Sequence, residues 1–296
     1  MRIQHQLLAL LVAFIWGTNF VFIRQGLDEI PPFWFATLRF FFAAFPLIFI
    51  LPRPRVPWRM LAAYGFFIGF GQFGLLFWAM RASISPGLAS LVIQSQVFIT
   101  ILLAAWLFHE PVRRRQQLAL LVCLCGLLLI GLFTDGQTTV SGLMVILLAA
   151  TGWACGNLVI KHVGKVNIIA FLAWSAVFAI PPLLLMSLVL EGPALMLEAT
   201  RQASLHAWAV VLWQTAGNTL IGYGLWNMLL HQYPAAMVTP WALMVPVFGM
   251  SASALMLGEP MPWWKLTASA LIMAGLVLNL GRAGNRAAKE KNRQPC

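Results

Sequence analysis

Long apolar runs alternate with short polar connections along the whole chain. Ten of these runs are close to the ~20 residues that an α-helix needs to cross the hydrocarbon core of a bilayer. In hydrocarbon every backbone polar group has to be satisfied within its own segment, so the runs are predicted to be helices. The predicted spans are residues 6–25, 33–51, 60–80, 87–108, 117–133, 141–160, 168–190, 205–230, 235–257 and 263–281.

Features of the first half of the chain recur in the second half. The matching pairs are Trp16 with Trp153, Ile23 with Ile160, Arg24 with Lys161, Glu110–Pro111 with Glu259–Pro260, and Gly126 with Gly275. Each half has five predicted spans, and because five is odd, the second half enters the membrane in the opposite sense. Inverted repeats are typical of secondary transporters, whose substrate site lies between the repeats. We expect a first five-helix repeat over 1–135, a second, inverted one over 136–281, and a basic cytoplasmic tail over 282–296.

The composition indicates an all-α integral membrane protein. The chain is 61% hydrophobic and only 9% charged, with a mean hydropathy of +0.85. A soluble chain has about 25% charged residues. The connections between the predicted spans are short, which leaves no room for a soluble catalytic domain.

The net charge of +11 raises the question of nucleic acid, but the distribution of the charges indicates membrane orientation instead. With the N-terminus in the cytoplasm, fourteen Lys and Arg residues lie on the cytoplasmic side and four outside, and six of the eight acids lie outside. Cytoplasmic loops carry an excess of Lys and Arg. Both termini are therefore predicted to be cytoplasmic, with the lipid bilayer as partner and without nucleic acid.

The cysteines and histidines do not indicate a cofactor. Cys123 and Cys125 are two residues apart on a predicted helix and point to nearly opposite sides. The five histidines never fall at metal-ligand spacing. We therefore expect no metal and no other cofactor.

One motif imitates a nucleotide-binding fingerprint. Gly69, Gly71 and Gly74 match the dinucleotide pattern G-x-G-x-x-G. That pattern requires a preceding strand and a helix that begins in water, whereas here it lies inside an apolar run. Small residues at these spacings let membrane helices approach closely, so helix packing is the favoured interpretation.

Amide side chains lie in the middle of several predicted spans whose other faces are apolar. An amide without a partner is costly in hydrocarbon, so these side chains, Gln214 among them, are predicted to face the interior. Aromatic side chains lie at similar depths, and the two sets together are typical of a neutral cavity for a small polar solute. For any single amide, a bond between helices is the alternative. The predicted substrate-binding residues of this kind are Trp16, Asn19, Gln72, Gln94, Gln96, Trp153, Asn157, Asn218, Tyr223 and Trp241.

Arg39 is the one charged residue deep inside a predicted span. A charge at the bilayer centre costs about 2.5–3.5 kcal/mol on insertion scales and has to face protein or a wet cavity. Arg39 is therefore predicted either to bind an anionic substrate group, such as a carboxylate, or to act as a structural clamp on backbone carbonyls. The sequence leaves both alternatives open.

The two Glu-Pro pairs, Glu110–Pro111 and Glu259–Pro260, each follow a long apolar run. A carboxylate at a helix C-terminus opposes the helix dipole, whereas it is favourable at an N-terminus. Proline is common as the first residue of a helix, so each proline is predicted to begin the next helix, with the glutamate as its cap. A proton-carrying role for the two glutamates is the alternative.

Several motifs in combination resemble the EamA family of the drug/metabolite transporter superfamily. They are Trp16-Gly-Thr-Asn19-Phe-Val, Leu38-Arg39-Phe40, Gly87-Leu-Ala-Ser90-Leu with Gln94-Ser-Gln96, Trp153-Ala-Cys-Gly-Asn157, Gly222-Tyr-Gly224-Leu-Trp226, Val245-Pro246-Val247 and the two Glu-Pro sites. The resemblance covers nearly the whole chain up to Arg282. It implies ten helices in two inverted repeats, a central cavity, a bacterial inner-membrane location, and export of cysteine-pathway metabolites such as O-acetylserine.

These observations favour a secondary transporter that exports small amino-acid-like metabolites by alternating access. The energy would come from the solute gradient or from exchange for protons, because the chain has no nucleotide-binding domain. Other metabolites or cationic drugs are the alternative cargo, although the cavity helices contain no acid that could bind a cation. A membrane-embedded enzyme would need clustered acid–base residues, to which His109–Glu110 is the nearest approach. A scaffold without turnover is a further alternative.

Overall fold

The computed structural model describes residues 1–133, 138–164, 166–233 and 235–280, and every regular element in these ranges is helical. In chain order the helices are α1 (Ile3–Glu29), α2 (Pro32–Ile48), α3 (Trp58–Ala82), α4 (Pro86–Phe108), α5 (Arg114–Leu132), α6 (Val140–Val163), α7 (Ile168–Glu191), α8 (Pro193–Gln202), α9 (205–232), α10 (Thr239–Leu257, directly preceded by the single helical turn Ala235–Val238) and α11 (Trp263–Leu280). Eight of these helices, all except α2, α8 and α9, are long and apolar enough to cross a membrane.

The predicted fold class, an all-helical membrane protein, is confirmed, but two of the ten predicted spans have a different form. The span predicted over 33–51 is the 17-residue helix α2, which ends at Ile48. Pro52 follows closely, and helices usually end before the residue that precedes a proline. The span predicted over 205–230 is helix α9, which consists of three consecutive segments. The expected repeat boundary at 135–136 and the tail over 282–296 lie outside the described residues.

Five of the described helices depart from regular α geometry, and one of them, α7, does so at its end, in a π-helix over Ser187–Glu191. Helices α3 and α9 each widen into a π-helix, over Gly65–Gly74 and Gln214–Gly222. Helices α4 and α10 contain 3₁₀ turns at Ile93–Ser95 and Thr239–Leu243. Irregular turns within helices are frequent at functional sites, because they change the direction of side chains and leave backbone N–H and C=O groups without their regular helical hydrogen bonds.

The glycines of the G-x-G-x-x-G motif pack α3 against its neighbours. A Cβ added at Gly71 would lie 3.3 Å from the backbone of Gly152 in α6, and one added at Gly74 would lie 2.8 Å from Leu183 in α7. Gly69 packs directly on Ala179 of α7. The prediction that these small residues allow close packing of membrane helices is therefore confirmed.

The bundle has two ends, which we name after the first and last residues of α1, the Ile3 end and the Glu29 end. At the Glu29 end, carboxylates cap the starts of two helices. Glu191 accepts a hydrogen bond from the backbone N–H of Phe33 at 2.7 Å, and Glu29 accepts one from the backbone N–H of Ser204 at 2.7 Å. A carboxylate satisfies the free N–H groups at a helix start and complements its positive dipole. These bonds fix α2 to α7 and α9 to α1.

Replacing Gly152 with alanine is expected to lower the thermal stability of the protein. The new methyl group would lie 2.6 Å from the backbone carbonyl carbon of Gly71, and over-packing of this kind costs about 1–3 kcal/mol. Gly224→Ala is the matched control, because a Cβ there meets nothing within 4 Å. The unfolding midpoints of the two purified variants provide the measurement. Equal midpoints would contradict the tight packing of α3 on α6.

Candidate functional site

A cavity of about 670 Å³ lies at the centre of the bundle. It extends from Ile23 and Leu76, towards the Glu29 end, to Gln116 and Leu280, at the Ile3 end. None of its lining residues in the described chain is charged. Nine of the eleven predicted substrate-binding residues line it, namely Trp16, Asn19, Gln72, Gln94, Gln96, Trp153, Asn157, Asn218 and Tyr223.

Two pairs of amide side chains join helices around the cavity. Asn157 of α6 donates a hydrogen bond to Oε1 of Gln96 in α4 at 2.7 Å. Between α1 and α9 the pairing is reciprocal, because Gln214 Nε2 donates to Asn19 Oδ1 at 2.7 Å and Asn19 Nδ2 donates to Gln214 Oε1 at 3.3 Å. Each amide has two N–H donors and an oxygen with two lone pairs, so each retains hydrogen-bonding capacity beyond these bonds. The same residue can therefore join helices and contact a solute.

The irregular helical segments supply polar groups to the cavity wall. Gln72 lies in the π-helix of α3, and its Oε1 has no partner among the described residues. Gln94 lies in the 3₁₀ turn of α4 and donates to the backbone carbonyl of Ala242 in the 3₁₀ turn of α10, at 3.4 Å. Asn218 belongs to the π-helix of α9. Irregular backbone at membrane depth is tolerated where it lines a cavity, which is its position here.

Aromatic side chains form one wall of the cavity. The ring of Trp16 lies 5.2 Å from that of Tyr223 and 5.3 Å from that of Trp226, measured between centroids. The indole N–H of Trp16 donates to the backbone carbonyl of Asn218 at 3.3 Å. A Cβ at Gly222 would lie 2.5 Å from the indole nitrogen of Trp16, so a glycine is required for this close approach. The indole is therefore held in one position against α9.

Arg39 and Trp241 do not line the cavity, although both are among the predicted substrate-binding residues, Arg39 with a structural clamp as its alternative. Arg39 is 2% exposed and lies behind the cavity wall, with its guanidinium carbon 3.7 Å from the centre of the Phe73 ring. It donates to Gln214 Oε1 at 2.9 Å. Trp241 packs instead on a small apolar cluster that includes Leu229. The structure therefore favours an indirect role for Arg39 over direct contact with a solute.

Polar residues that the sequence analysis does not select complete the lining at the Ile3 end. Gln116 lies in the first turn of α5 and Asn279 in the last turn of α11. Within the described chain, Oδ1 of Asn279 has no hydrogen-bond partner. Thr100 and Thr239 add two hydroxyl groups. In the sequence, these residues differ from their surroundings only in being polar and within one or two turns of a helix end. Ordinary residues at the membrane–water interface have the same property, so the sequence does not single them out.

The prediction that Pro111 and Pro260 begin the next helices is wrong. Helix α5 begins three residues after Pro111, and α11 begins three residues after Pro260. Glu110 is exposed at the Ile3 end, where it forms an ion pair with Lys161 at 2.6 Å. A space of about 180 Å³ is lined by both members of this pair. Glu110 therefore lies at the accessible end of the bundle and does not cap a helix there.

Glu259 is buried at the Glu29 end, and it caps α4 rather than α11. Its carboxylate accepts hydrogen bonds from the backbone N–H of Gly87 at 2.9 Å and from the hydroxyls of Ser85 and Ser253. It also forms an ion pair at 3.2 Å with Nζ of Lys265, a residue that is fully buried. We call Glu259, Lys265, Ser85 and Ser253 the Glu259 cluster. It joins α4, α10 and α11 at the end of the bundle that the cavity does not reach.

Apolar helices around a neutral polar cavity, which extends to one end of the bundle and stops short of the other, define a membrane transporter of small solutes. The chain belongs to the EamA-like transporter family, which matches residues 5–132 and 140–281.

Individual proteins resemble the chain over nearly its whole length. It is 40% identical over 279 residues to a probable amino-acid metabolite efflux pump of Salmonella typhimurium strain LT2, a match that covers 92% of this chain and 93% of that protein. It is 38% identical to a protein of the same description in Escherichia coli K12, with the same coverage. A crystal structure with 18% identity has the same fold, with a TM-score of 0.62 over 96% of this chain and 100% of the other.

Lys265→Met is expected to lower the free energy of unfolding by about 3–5 kcal/mol, because it leaves the buried carboxylate of Glu259 without its ion pair. Removing both charges, in Glu259→Gln/Lys265→Met, is expected to recover part of that loss. Lys161→Met is the matched control, since it breaks an exposed pair worth at most about 1 kcal/mol. Denaturant unfolding of the purified proteins measures all three. A loss at Lys265 no larger than the loss at Lys161 would contradict a stabilising role for the buried pair.

Proposed function

We propose that this protein exports small amino-acid-like metabolites, of the O-acetylserine and cysteine type, across the bacterial inner membrane by alternating access. The main support for this proposal is the lining of the cavity. It consists of amides, hydroxyls, aromatic rings and apolar side chains, and none of the lining residues in the described chain is charged. The relatives in Salmonella and Escherichia coli, both named probable amino-acid metabolite efflux pumps, support the same class of cargo.

The chemistry of the lining suits a zwitterion. A zwitterion needs hydrogen-bond donors for its carboxylate and acceptors for its ammonium group, and a side-chain amide offers both. Asn19 and Asn157 are amides on different helices of the cavity wall. The ring faces of Trp16 and Tyr223 can attract an ammonium group by cation–π interaction. No acid lines the cavity among the described residues, which disfavours a purely cationic drug because such a solute would find no counter-charge there.

The structural parallels between the two halves support ten spans in two inverted repeats. The π-helices at Gly65–Gly74 and Gln214–Gly222 begin 149 residues apart, and the same offset separates Glu110 from Glu259. Helix α1 packs on α9 and α10, while α6, its proposed counterpart, packs on α3 and α4. On this proposal α2 and α9 also span the membrane, the repeats occupy 1–135 and 136–281, and 282–296 form a basic tail.

The asymmetry between the two ends supports alternating access. The excess of Lys and Arg near the Ile3 end favours a cytoplasmic position for that end and for both termini. The cavity would then face the cytoplasm, and the Glu259 cluster would close the periplasmic side. Export requires this cluster to separate while the Ile3 end closes. Exchange for protons is the alternative to the solute gradient as the source of energy, with Glu110 at the Ile3 end and Glu259 at the Glu29 end as the candidate proton carriers.

The proposed orientation predicts the activity of topology reporters. A cytoplasm-active reporter fused at Cys296 is expected to work, as is one inserted in the Arg113–Arg115 loop, because both would lie on the Lys- and Arg-rich side. A periplasm-active reporter is expected to work at Asp135. Reporter activity per amount of inserted protein is the measurement. A C-terminus outside the cell would refute the orientation, and a C-terminus outside with the Arg113–Arg115 loop still cytoplasmic would refute the expected number of spans between them.

Overproduction of the protein is expected to increase the release of O-acetylserine and cysteine from cells. Asn157→Ala is expected to weaken the apparent affinity for the exported solute by about tenfold or more, because it removes a hydrogen bond to a charged group. Efflux of labelled solute should therefore fall more at low internal concentration than at saturation.

Leu148→Ala is the control for the transport assay, since Leu148 lies on the same helix but is 57% exposed on its outer surface. It should leave the efflux kinetics unchanged. Membrane abundance of each variant separates loss of transport from loss of protein. If overproduction leaves the efflux of both metabolites unchanged while another solute is exported, the cargo is wrong and only the transporter class remains.

A further inference from the structure

Arg39 is a buried cation without a carboxylate partner. Its side chain is 2% exposed, and no acid in the described chain lies within ion-pair distance of it. An arginine guanidinium remains protonated in proteins and can only donate hydrogen bonds. A charge kept in a membrane helix bundle without a counter-ion is costly, and such charges are usually functional. The residues that surround Arg39 indicate its role.

The guanidinium determines the orientation of the Gln214 amide. Nη1 of Arg39 lies 2.9 Å from the amide oxygen of Gln214, and this atom has to be the oxygen because arginine offers no acceptor. Thr219 donates its hydroxyl proton to the backbone carbonyl of Gln214 at 3.0 Å, so its oxygen can accept from Nη2 of Arg39 at 3.4 Å. The Nε2 group of Gln214 is therefore directed away from Arg39.

Gln214 in turn determines the orientation of the Asn19 amide. Because Nε2 of Gln214 is a donor, the atom of Asn19 that lies 2.7 Å away has to be its oxygen. The Nδ2 group of Asn19 then lies beside the Gln214 oxygen, at 3.3 Å, and uses one N–H there. The second N–H of Asn19 has no partner among the residues that the structure describes, and Asn19 lines the cavity.

We propose that Arg39 is a positioning residue for the solute carboxylate, acting through Gln214 to make Asn19 present an N–H donor to the cavity. The inference rests on the proposed function in one respect, that the solute carries a carboxylate. Arg39 also supplies positive charge behind the wall, because its guanidinium stacks at 3.7 Å on Phe73, which lines the cavity. An anionic group in the cavity is thereby favoured over a neutral group of the same shape, without direct contact with the arginine.

The test compares a carboxylate with its isosteric amide. The wild-type protein in liposomes is expected to transport O-acetylserine with an apparent KM about tenfold or more below that of O-acetylserinamide, since hydrogen bonds to charged groups are the stronger ones. In Arg39→Gln the two KM values are expected to converge within about twofold, while kcat changes less. Arg39→Lys retains a donor and the charge, and is expected to restore part of the preference.

A second variant covers the case in which Arg39→Gln fails to fold. In Gln214→Glu the carboxylate pairs with Arg39 and neutralises the positive charge behind the wall, and because a carboxylate can only accept, Asn19 Oδ1 loses the donor that fixes the orientation of its amide. The preference for the acid is expected to disappear. Arg24→Gln is the matched control, because Arg24 pairs with Asp28 at 2.8 Å outside the cavity. Variants that lose transport of acid and amide in equal proportion, with the preference intact, would overturn the proposal.

Binding measurements separate this inference from the proposed cargo. Thermal stabilisation of the purified protein is measured with matched pairs, acetate against acetamide, lactate against lactamide, and serine against serinamide. The wild type is expected to be stabilised more by the acid of each pair, and Arg39→Gln equally by both members. If the acids stabilise the wild type no better than the amides, the positioning role is refuted. If they do, but neither cysteine metabolite is transported, the proposed cargo fails and the positioning role stands.

Discussion

The absence of water from the hydrocarbon core controls both the fold and the cavity of this protein. In a helix the backbone N–H and C=O groups satisfy one another there, whereas any polar side chain in the middle of a span requires a hydrogen-bond partner of its own. The pairs Asn19–Gln214 and Gln96–Asn157 meet this requirement between helices. Where several such side chains converge, the space between them is polar and neutral, which is the condition for holding a small hydrophilic solute inside an apolar bundle.

The sequence predicts the helices well because an apolar run of sufficient length has few alternatives in a membrane. It also selects most of the cavity residues, because amides in mid-span have to face inward. It does not reveal which helices are neighbours, and the errors arise there. The position of Arg39 behind Phe73 and the capping of α4 by Glu259 both depend on contacts between distant parts of the chain. The π-helix at Gly65–Gly74 likewise depends on packing against other helices. The glycines in this segment permit a π-helix, but their presence in the sequence does not require one.

Charge is arranged in layers around the cavity. The lining in the described chain is uncharged, while the buried charges lie one layer behind it or at its closed end. Arg39 is separated from the cavity by an aromatic ring and an amide, and the Glu259 cluster lies beyond the apolar floor near Ile23 and Leu76. A fixed charge in the lining would bind an oppositely charged solute tightly and slow its release. Charge behind the wall can select a solute and still allow it to leave.

Glu110 and Glu259 have different numbers of contacts at the two ends of the bundle. The free energy gained by closing one end cannot exceed that gained by closing the other by much. A protein that alternates between two conformations needs them to differ by only a few kcal/mol, because otherwise one of them is hardly populated. The buried carboxylate at one end has several partners, whereas the exposed one at the other end has a single ion-pair partner. On the proposed alternating-access cycle, the opposite conformation therefore has to form contacts of comparable strength at the Ile3 end. A substitution that strengthened only the contacts at the Glu29 end would raise the stability of the protein and lower its rate of transport.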